Sequence, residues 1–212
     1  MSLSVDIKKR LGSFQLDVSF EAQDATETLA LLGASGCGKS MALKCIAGIE
    51  RPDEGRIVLN DRVLFDSAAH VDVPVQQRRV GYLFQNYALF PTMTVLDNVL
   101  VGVREGSRDE RRERAQAQIR AFRLEGLEDH RPAELSGGQQ QRCALARIMA
   151  NDPELLLLDE PFSALDGFLR WQLELELSDT LKAFPGGVVF VTHSRDEVYR
   201  MCDSVCVISQ GR

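Results

Sequence analysis

The chain has 212 residues, with a hydrophobic share of 44% and a charged share of 26%, values that exclude a fibrous or disordered class. Its formal net charge of −6 argues against broad electrostatic capture of nucleic acid, which needs a clustered basic face. No run approaches the roughly 20 apolar residues that span a bilayer, so we expect any membrane role to come through partners.

Cysteine usage and the N-terminal segment both favour a cytosolic protein. The five cysteines are odd in number and form no CxxC pair, which indicates reduced thiols rather than a disulfide framework or a zinc site. The first residues lack the continuous apolar core of a signal peptide. The basic cluster at 108–114 has acidic residues between its arginines, and we interpret it as a solvated helix face.

The first part of the chain predicts a small antiparallel sheet followed by one buried strand. Polar and apolar residues alternate at 5–7 and at 14–20, as in half-exposed antiparallel strands. The wholly apolar run at 29–32 suits a strand of a parallel sheet that is buried on both faces. A helix is predicted over 41–47, and Gly48 can cap it.

The middle of the chain changes from strands to helices. Strands are predicted at 56–59, 63–65 and 80–84. Thr94 with Asp97 then resembles a capping box that opens one helix, and residues 108–122 form a charged second helix. We therefore expect a helical subdomain over about 86–150.

The last part returns to strand patterns. Apolar runs at 155–158 and 188–192 suit interior parallel strands, with a helix over 168–184 between them. The whole pattern predicts the α/β fold class: a core with a mainly parallel sheet, a small antiparallel β subdomain and an inserted helical subdomain. No internal repeat or interdomain linker is evident, so we expect a single domain over 1–212.

A glycine-rich segment lies between the strand at 29–32 and the helix at 41–47. Its residues GASGCGKS have the spacing GxxxxGK[ST] of a phosphate-binding loop, in which backbone N–H groups and a helix N-terminus face the phosphates. We expect Lys39 to reach the β and γ phosphates and the Ser40 hydroxyl to ligate Mg²⁺. An ordinary glycine turn is the alternative. The residues expected at the nucleotide are Gly33, Ala34, Ser35, Gly36, Cys37, Gly38, Lys39 and Ser40.

Two carboxylates follow the apolar run at 155–158. Asp159 and Glu160 stand at the carboxyl end of a strand, where ligands of open α/β sheets bind. Successive strand residues point to opposite faces, so we expect different roles: Asp159 near Mg²⁺ and Glu160 polarising the attacking water. Taken alone, LLLLDEP is also compatible with a strand that ends in a turn before Pro161.

The segment LSGGQQQR, at 135–142, predicts a second helix terminus that binds an anion. Ser136 and Gln139 have the spacing of a capping box, and Gly137-Gly138 leave backbone N–H groups open at the start of a helix that runs to Ala150. One phosphate group does not need two such termini on one chain. We therefore expect this terminus to complete the site of another subunit, with a flexible SGG turn as the alternative.

The order of these motifs along the chain resembles that of the ABC transporter ATPases, and the resemblance covers essentially the whole chain. GASGCGKS resembles the Walker A motif, Gln85 the Q-loop, LSGGQ the signature, LLLLDEP the Walker B motif, 163–166 the D-loop and His193 the switch histidine. The resemblance implies ATP and Mg²⁺ as cofactors. It also implies a head-to-tail homodimer in which each ATP lies between the Walker A motif of one copy and the signature of the other.

The same resemblance implies roles for individual residues. Glu160 is then the catalytic base, Gln85 senses Mg²⁺ and the lytic water, and His193 contacts the γ phosphate. Alone, a histidine after an apolar strand is more often structural. The implied metal residues are Ser40, Gln85 and Asp159, and the implied nucleotide contacts beyond the phosphate-binding loop are Leu135, Ser136, Gly137, Gly138, Gln139 and Asp166.

One position departs from the family pattern, and one family residue has only a candidate in this chain. Met41 stands where many members have a second hydroxyl residue, so the resemblance does not carry that residue's α-phosphate contact over to this chain. Phe14 is the nearest candidate for the aromatic residue that stacks on adenine, although it fits a buried hairpin position equally well.

Within the family, three segments resemble the importer ATPases for oxyanions, closest to the molybdate type: GRIVLNDRVLFDS, RRVGYLFQNYALFPTMTVLDNV and DEPFSALDGFLRWQLELEL. This implies a peripheral protein at the cytoplasmic face of the membrane, bound to integral membrane permease subunits and indirectly served by an extracytoplasmic substrate-binding protein. Sulfate, tungstate and polyamine importers share much of this sequence and stay as alternatives.

A rival interpretation is a soluble ABC ATPase that clamps nucleic acid. Such chains separate the two nucleotide motifs with long coiled coils, whereas only a compact helical stretch without sustained heptads lies between Ser40 and Leu135. We therefore expect no nucleic-acid partner. Importer ATPases of the resembling type usually continue into a β-rich regulatory domain, which we expect to be absent from this chain, as a trimmed or a naturally short member.

Overall fold

The alternating N-terminal sequence forms an antiparallel sheet in the computed structural model, which describes residues 2–22, 27–163 and 167–212. The strands of this sheet are β1 (Leu3–Leu11), β2 (Phe14–Ala22), β4 (Glu54–Leu59), β5 (Arg62–Asp66) and β6 (Val71–Asp72), in the order β2-β1-β4-β5-β6. Buried and exposed positions alternate along β1 and β2. One face of this hairpin therefore lies in the core and the other faces solvent.

The chain forms two compact units. The first comprises Met1–Val80, Glu154–Glu160 and Leu177–Arg212, and the second comprises Gly81–Pro153 and Pro161–Glu176. The antiparallel sheet belongs to the first unit.

A parallel sheet in the first unit contains the wholly apolar runs. Its strands there are β3 (Thr28–Leu32), β8 (Leu155–Asp159), β9 (Gly187–Thr192) and β10 (Ser204–Val207), in the order β10-β3-β9-β8. Every residue of β8 and β9 is buried, as strands covered on both faces require. Because these strands are parallel, the segments that follow β3, β8 and β9 lie at the same edge of the sheet.

Two helices of the first unit follow this edge directly. They are α1 (Lys39–Ala47), after the loop that ends β3, and α6 (Arg195–Met201), after β9. α1 ends at Gly48, which adopts the left-handed conformation (φ 79°) and donates its N–H to the Cys45 carbonyl, as the sequence predicted.

The second unit is mostly helical. It begins in β7 (Val80–Leu83) and contains α2 (Val95–Gly102), α3 (Arg108–Ala121), α4 (Gly137–Met149) and the first part of α5 (Gly167–Ala183). α2, α3 and α4 pack on one another. Their first turns are capped by side chains: Thr94 accepts the Asp97 N–H, and Ser107 with Glu110 forms a full capping box. Among the described residues, no helix combines the length and the apolar character needed to cross a bilayer.

The fold class predicted from the sequence is confirmed: the protein is α/β, with a parallel sheet, an antiparallel sheet and a set of packed helices. The boundary of the helical subdomain at about 86–150 stays a prediction. The sequence analysis did not predict α6, β6 or β10, which are short.

A buried arginine closes the carboxyl-terminal end of α1. Arg78 is 0% exposed, and its guanidinium donates to the carbonyls of Cys45 (2.9 Å), Ile46 (2.8 Å) and Val73 (2.8 Å). Its Nη2 also lies 3.0 Å from Oδ1 of Asp72. The last carbonyls of a helix have no α-helical partner, so Arg78 adds a donor at the Cys45 carbonyl, which also accepts the Gly48 N–H, and supplies one to the buried Ile46 carbonyl.

Replacing Arg78 should therefore lower the free energy of unfolding strongly. We expect Arg78→Met to cost about 3 kcal/mol, because it removes a buried donor from the Cys45 and Ile46 carbonyls and one of the two arginines paired with Asp72. Chemical denaturation of the purified chain measures the effect. Arg79→Met is the matched control: Arg79 pairs with Glu154 at 2.8 Å but is 53% exposed, and exposed pairs contribute less than about 1 kcal/mol. Equal costs for the two variants would contradict the capping role.

Candidate functional site

The glycine-rich loop at 33–40 wraps around the side chain of Lys39. Lys39 is 4% exposed, and its Nζ donates to the carbonyls of Gly33 (2.8 Å) and Ala34 (2.9 Å). Ala34, Ser35 and Gly36 are exposed at the rim of the loop. The ammonium group is thus held at the centre of a loop whose outer residues face solvent.

The start of α1 is open to an anion. Gly38 is the N-cap of α1, with φ 107°, and a Cβ at this position would lie 2.6 Å from Cδ1 of Leu16. Only glycine combines this backbone conformation with this close approach. Since glycine has no side chain to cap the helix, the first N–H groups of α1 and the positive end of its dipole remain available for phosphate.

A cleft lies beside this loop. It has a volume of about 830 Å³, within the usual range of ligand sites, and its lining includes Phe14, Ser35, Gly36, Cys37, Gln210 and Arg212. The Phe14 ring reaches the start of α1, since its Cζ would lie 3.0 Å from a Cβ at Gly38. Phe14 is half-buried, so part of its ring is available to a ligand in the cleft.

Ser40 and Asp159 meet at the carboxyl edge of the parallel sheet. The Ser40 hydroxyl donates to Oδ1 of Asp159 at 2.7 Å, and Asp159 is 7% exposed. Mg²⁺ takes oxygen donors of this kind and completes its octahedron with phosphate oxygens and waters. No cluster of three or more His, Cys, Asp or Glu side chains suited to a metal occurs in the described ranges.

Glu160 leaves the sheet in a left-handed conformation. β8 ends at Asp159, and Glu160 has φ 47°, which is uncommon for a residue with a Cβ. Its N–H donates to the Val191 carbonyl of β9 at 3.0 Å. The two carboxylates have different partners: Asp159 accepts the Ser40 hydroxyl, and Glu160 lies beside His193. Their separate roles stay a prediction.

His193 faces this carboxylate. Its Nδ1 lies 3.5 Å from Oε1 of Glu160. The imidazole is 56% exposed and the Glu160 side chain 19%, so both groups are accessible to a ligand at the sheet edge. The first unit thus has Asp159 at the end of β8, and Lys39, Ser40, Glu160 and His193 in the segments that follow β3, β8 and β9.

Gln85 lies in the second unit, just after β7, and its side chain is exposed. Two residues of the loop that follows, Tyr87 (φ 59°) and Ala88 (φ 45°), are left-handed. Arg147 of α4 holds this turn by donating to the Ala88 carbonyl at 2.7 Å and the Tyr87 carbonyl at 2.9 Å. Burial raises the pKa of the Tyr87 phenol and lowers the pKa of the Arg147 guanidinium.

The LSGGQ segment forms the N-terminus of α4 in the second unit. Ser136 accepts the Gln139 N–H at 3.3 Å and donates its own N–H to Oε1 of Gln139 at 2.8 Å, which is the full capping box that the spacing predicted. Leu135 is buried, whereas Ser136 is exposed. A Cβ on Gly138 would lie 3.1 Å from Leu173 of α5, so this glycine permits close helix packing.

Asp166 lies outside the described residues. Three residues with evident structural roles near the site were not found from the sequence: Arg147, Thr192 and Glu197. Arg147 contacts a carbonyl 59 residues away in the sequence, and such a contact leaves no local signal. Thr192 and Glu197 are five residues apart, and the position of Glu197 in HSRDE, close after His193, is the one local signal for their contact.

Comparisons with known proteins agree with this geometry. The family model described as ABC transporter matches residues 16–163. The chain is 44% identical over 198 residues to the Fe(3+) ions import ATP-binding protein FbpC of Haemophilus influenzae (strain 86-028NP), covering 92% of this chain and 56% of that protein. It is 47% identical over 188 residues to the spermidine/putrescine import ATP-binding protein PotA of Oleidesulfovibrio alaskensis (strain ATCC BAA-1058 / DSM 17464 / G20), covering 88% and 49%.

A molybdenum import ATP-binding protein, ModC of Paramagnetospirillum magneticum (strain ATCC 700264 / AMB-1), is 38% identical over 210 residues, covering 99% of this chain and 57% of that protein. The chain thus spans about half the length of the curated relatives it matches.

Among solved structures, an ATP-binding cassette in a dimeric, post-hydrolysis state bound to ADP and Pi superposes with a TM-score of 0.79. It is 30% identical, and the match covers 100% of this chain and 95% of that chain. The family model, the relatives and this structure agree, and the chain belongs to the ABC transporter family.

Proposed function

We propose that the chain is the ATP-binding and ATP-hydrolysing subunit of an ABC importer. The observation that carries the proposal is the hydrogen bond between Ser40 and Asp159, with Glu160 and His193 beside it at the same sheet edge. This arrangement supplies a hydroxyl and a carboxylate for Mg²⁺, a second carboxylate for water and an imidazole. An ordinary glycine turn does not require these groups to meet.

Binding of MgATP uses the loop at 33–40. The phosphates lie at the start of α1, and the Lys39 ammonium exchanges its bonds to the Gly33 and Ala34 carbonyls for bonds to phosphate oxygens. The proposed place of adenine is the adjoining cleft, against Phe14. Mg²⁺, held by Ser40 and Asp159, would neutralise phosphate charge.

Hydrolysis transfers the γ phosphoryl group from ADP to water. Glu160 accepts a hydrogen bond from the attacking water and draws its proton away as the bond from water oxygen to phosphorus forms. The bond between the γ phosphorus and the bridging oxygen breaks, and the electron pair stays on ADP. His193 donates to a γ-phosphate oxygen, and Lys39 compensates the negative charge. From the family resemblance, we assign Gln85 the sensing of Mg²⁺ and the lytic water.

The N-terminus of α4 is proposed to act on another copy of the chain. Its exposed Ser136 and the N–H groups of Gly137 and Gly138 form an anion site on a different unit from Lys39. We infer a head-to-tail homodimer in which this terminus completes the partner's ATP site, together with Asp166. The relatives named as import proteins favour permease subunits as the membrane partners and the cytoplasmic membrane face as the location.

Molybdate is the proposed cargo. The oxyanion-type segments noted in the sequence support this cargo, and a molybdenum importer is among the relatives. Coverage does not favour it, since a polyamine importer matches 100% of this chain and the molybdenum importer 99%. The iron and polyamine importers are more identical, at 44% and 47%, and an ATPase subunit of this kind does not touch the cargo. Sulfate and tungstate are oxyanions like molybdate and stay as alternatives. Identifying the integral membrane protein that copurifies with the chain would distinguish between these cargoes.

Lys39→Ala should abolish tight MgATP binding. The substitution removes the charge that compensates the phosphates, and hydrogen bonds to charged groups contribute about 1.5–3 kcal/mol, or roughly 10- to 100-fold in affinity. Fluorescent-nucleotide titration measures the dissociation constant, and thermal unfolding checks that the variant is folded. Lys44→Ala, in the last turn of the same helix, is the control and should bind normally. A folded Lys39→Ala chain with wild-type affinity would refute the assignment of the loop.

Ser136→Arg should spare nucleotide binding by the monomer and block ATP-driven dimerisation, because the larger side chain occupies the place of the partner's γ phosphate. Size-exclusion chromatography with MgATP measures the dimer, and phosphate release measures hydrolysis. Ser107→Arg is the matched control, since Ser107 also heads a helix in a full capping box and its loss costs a similar ~1 kcal/mol. Normal dimerisation of the Ser136→Arg chain would remove the case for a shared site.

Glu160→Gln should nearly eliminate hydrolysis and make the ATP-bound dimer more persistent. The amide keeps the shape of the carboxylate but cannot accept the proton, and removal of a general base typically costs about 10²- to 10⁴-fold in rate. Single-turnover hydrolysis and size-exclusion chromatography measure the two effects.

Glu154→Gln removes a partly exposed carboxylate just before β8 and serves as the control. It should leave turnover unchanged. A Glu160→Gln chain within a few-fold of wild-type turnover would show that Glu160 is only a residue that ends a strand.

A further inference from the structure

The loop that contains His193 is tied together by one hydroxyl group. Thr192, the last residue of β9, is 2% exposed, and its hydroxyl donates to Oε2 of Glu197. The same oxygen accepts the N–H of Ser194 at 2.9 Å. The residues before and after His193 are thus joined through the Thr192 side chain.

The other end of this network is a buried carboxyl group. Glu197 lies in the first turn of α6, is 2% exposed, and donates its backbone N–H to Oγ of Ser194 at 3.4 Å. Burial of a carboxyl group is costly unless hydrogen bonds compensate it. The bond to Thr192 supplies such compensation, and it fixes the start of α6 relative to the end of β9.

His193 depends on this network for its orientation. Its side chain is 56% exposed, so packing restrains the ring less than it would restrain a buried one. The ring still faces Glu160, whose N–H is fixed to Val191 one residue before Thr192. The hydrogen bonds around Thr192 therefore set the backbone from which the imidazole extends toward the carboxylate.

We propose that Thr192 and Glu197 are positioning residues that hold His193 in the geometry for ATP hydrolysis. This inference rests on the proposed function. Displacing a catalytic group by about 1 Å lowers the rate of the chemical step by up to roughly a hundredfold. Loss of the network, which loosens the loop without removing the imidazole, should lower kcat by about tenfold and leave KM for MgATP within about twofold.

The test compares variants that differ by one functional group. Thr192→Val replaces the hydroxyl by a methyl group of similar size, whereas Thr192→Ser keeps the hydroxyl. We expect Thr192→Val to show the tenfold loss of kcat and Thr192→Ser to keep most of the activity. Glu197→Ala and Glu197→Gln form a second pair, because the glutamine retains an oxygen that accepts from Thr192.

A double-mutant cycle separates positioning from general destabilisation. In a His193→Ala chain, Thr192→Val should cause no further loss of kcat, since the group it positions is gone. A merely structural role would lower the thermal midpoint and leave kcat per folded molecule unchanged in both backgrounds. That result, or variants at both positions that fail to fold, would overturn the proposal.

Failure of the proposed function has a different signature. A His193→Ala chain with wild-type hydrolysis removes the catalytic role of His193, and the positioning role goes with it. If the His193→Ala chain is inactive and the Thr192→Val chain is fully active, only the positioning role is overturned.

Discussion

The hydrogen bond between Ser40 and Asp159 is the contact on which the rest of the site depends. It joins the first turn of α1 to the end of β8, two elements that are 119 residues apart in the sequence. Because α1 follows β3, this bond also fixes the glycine-rich loop relative to the carboxyl edge of the sheet. The loop, the oxygens proposed to bind Mg²⁺ and Glu160 can then act on one ligand, since the position of each is set by the same edge.

The two helix N-termini of the chain differ in a way that matches different tasks. α1 has glycine as its N-cap, so none of its first N–H groups is taken by an N-cap side chain. α4 has Ser136, whose hydroxyl already satisfies the Gln139 N–H and leaves fewer donors free. The first arrangement suits several phosphates bound deeply, and the second suits one terminal phosphate approached from outside. This difference favours the division of labour proposed for a head-to-tail dimer.

The sequence predicted the parts of the fold that depend on local patterns. The apolar runs at 155–158 and 188–192 are the buried strands β8 and β9, and the Ser136 capping box is present. α6 has seven residues and β10 has four, which is too short for a reliable periodicity. The bonds of Arg147 span about 60 residues, and such distant contacts leave no local signal.

Tertiary hydrogen bonds hold the left-handed residues of two motif segments. Glu160, Tyr87 and Ala88 all have positive φ, which costs roughly 1–2 kcal/mol per residue with a Cβ. In each case a specific hydrogen bond offsets the strain: Glu160 donates to the Val191 carbonyl, and Arg147 binds the carbonyls of the other two residues. Since tertiary contacts already hold these turns, the proposed ATP ligand would not have to spend binding free energy on ordering them. Under the proposed function, that energy is left for interactions made in the transition state of hydrolysis.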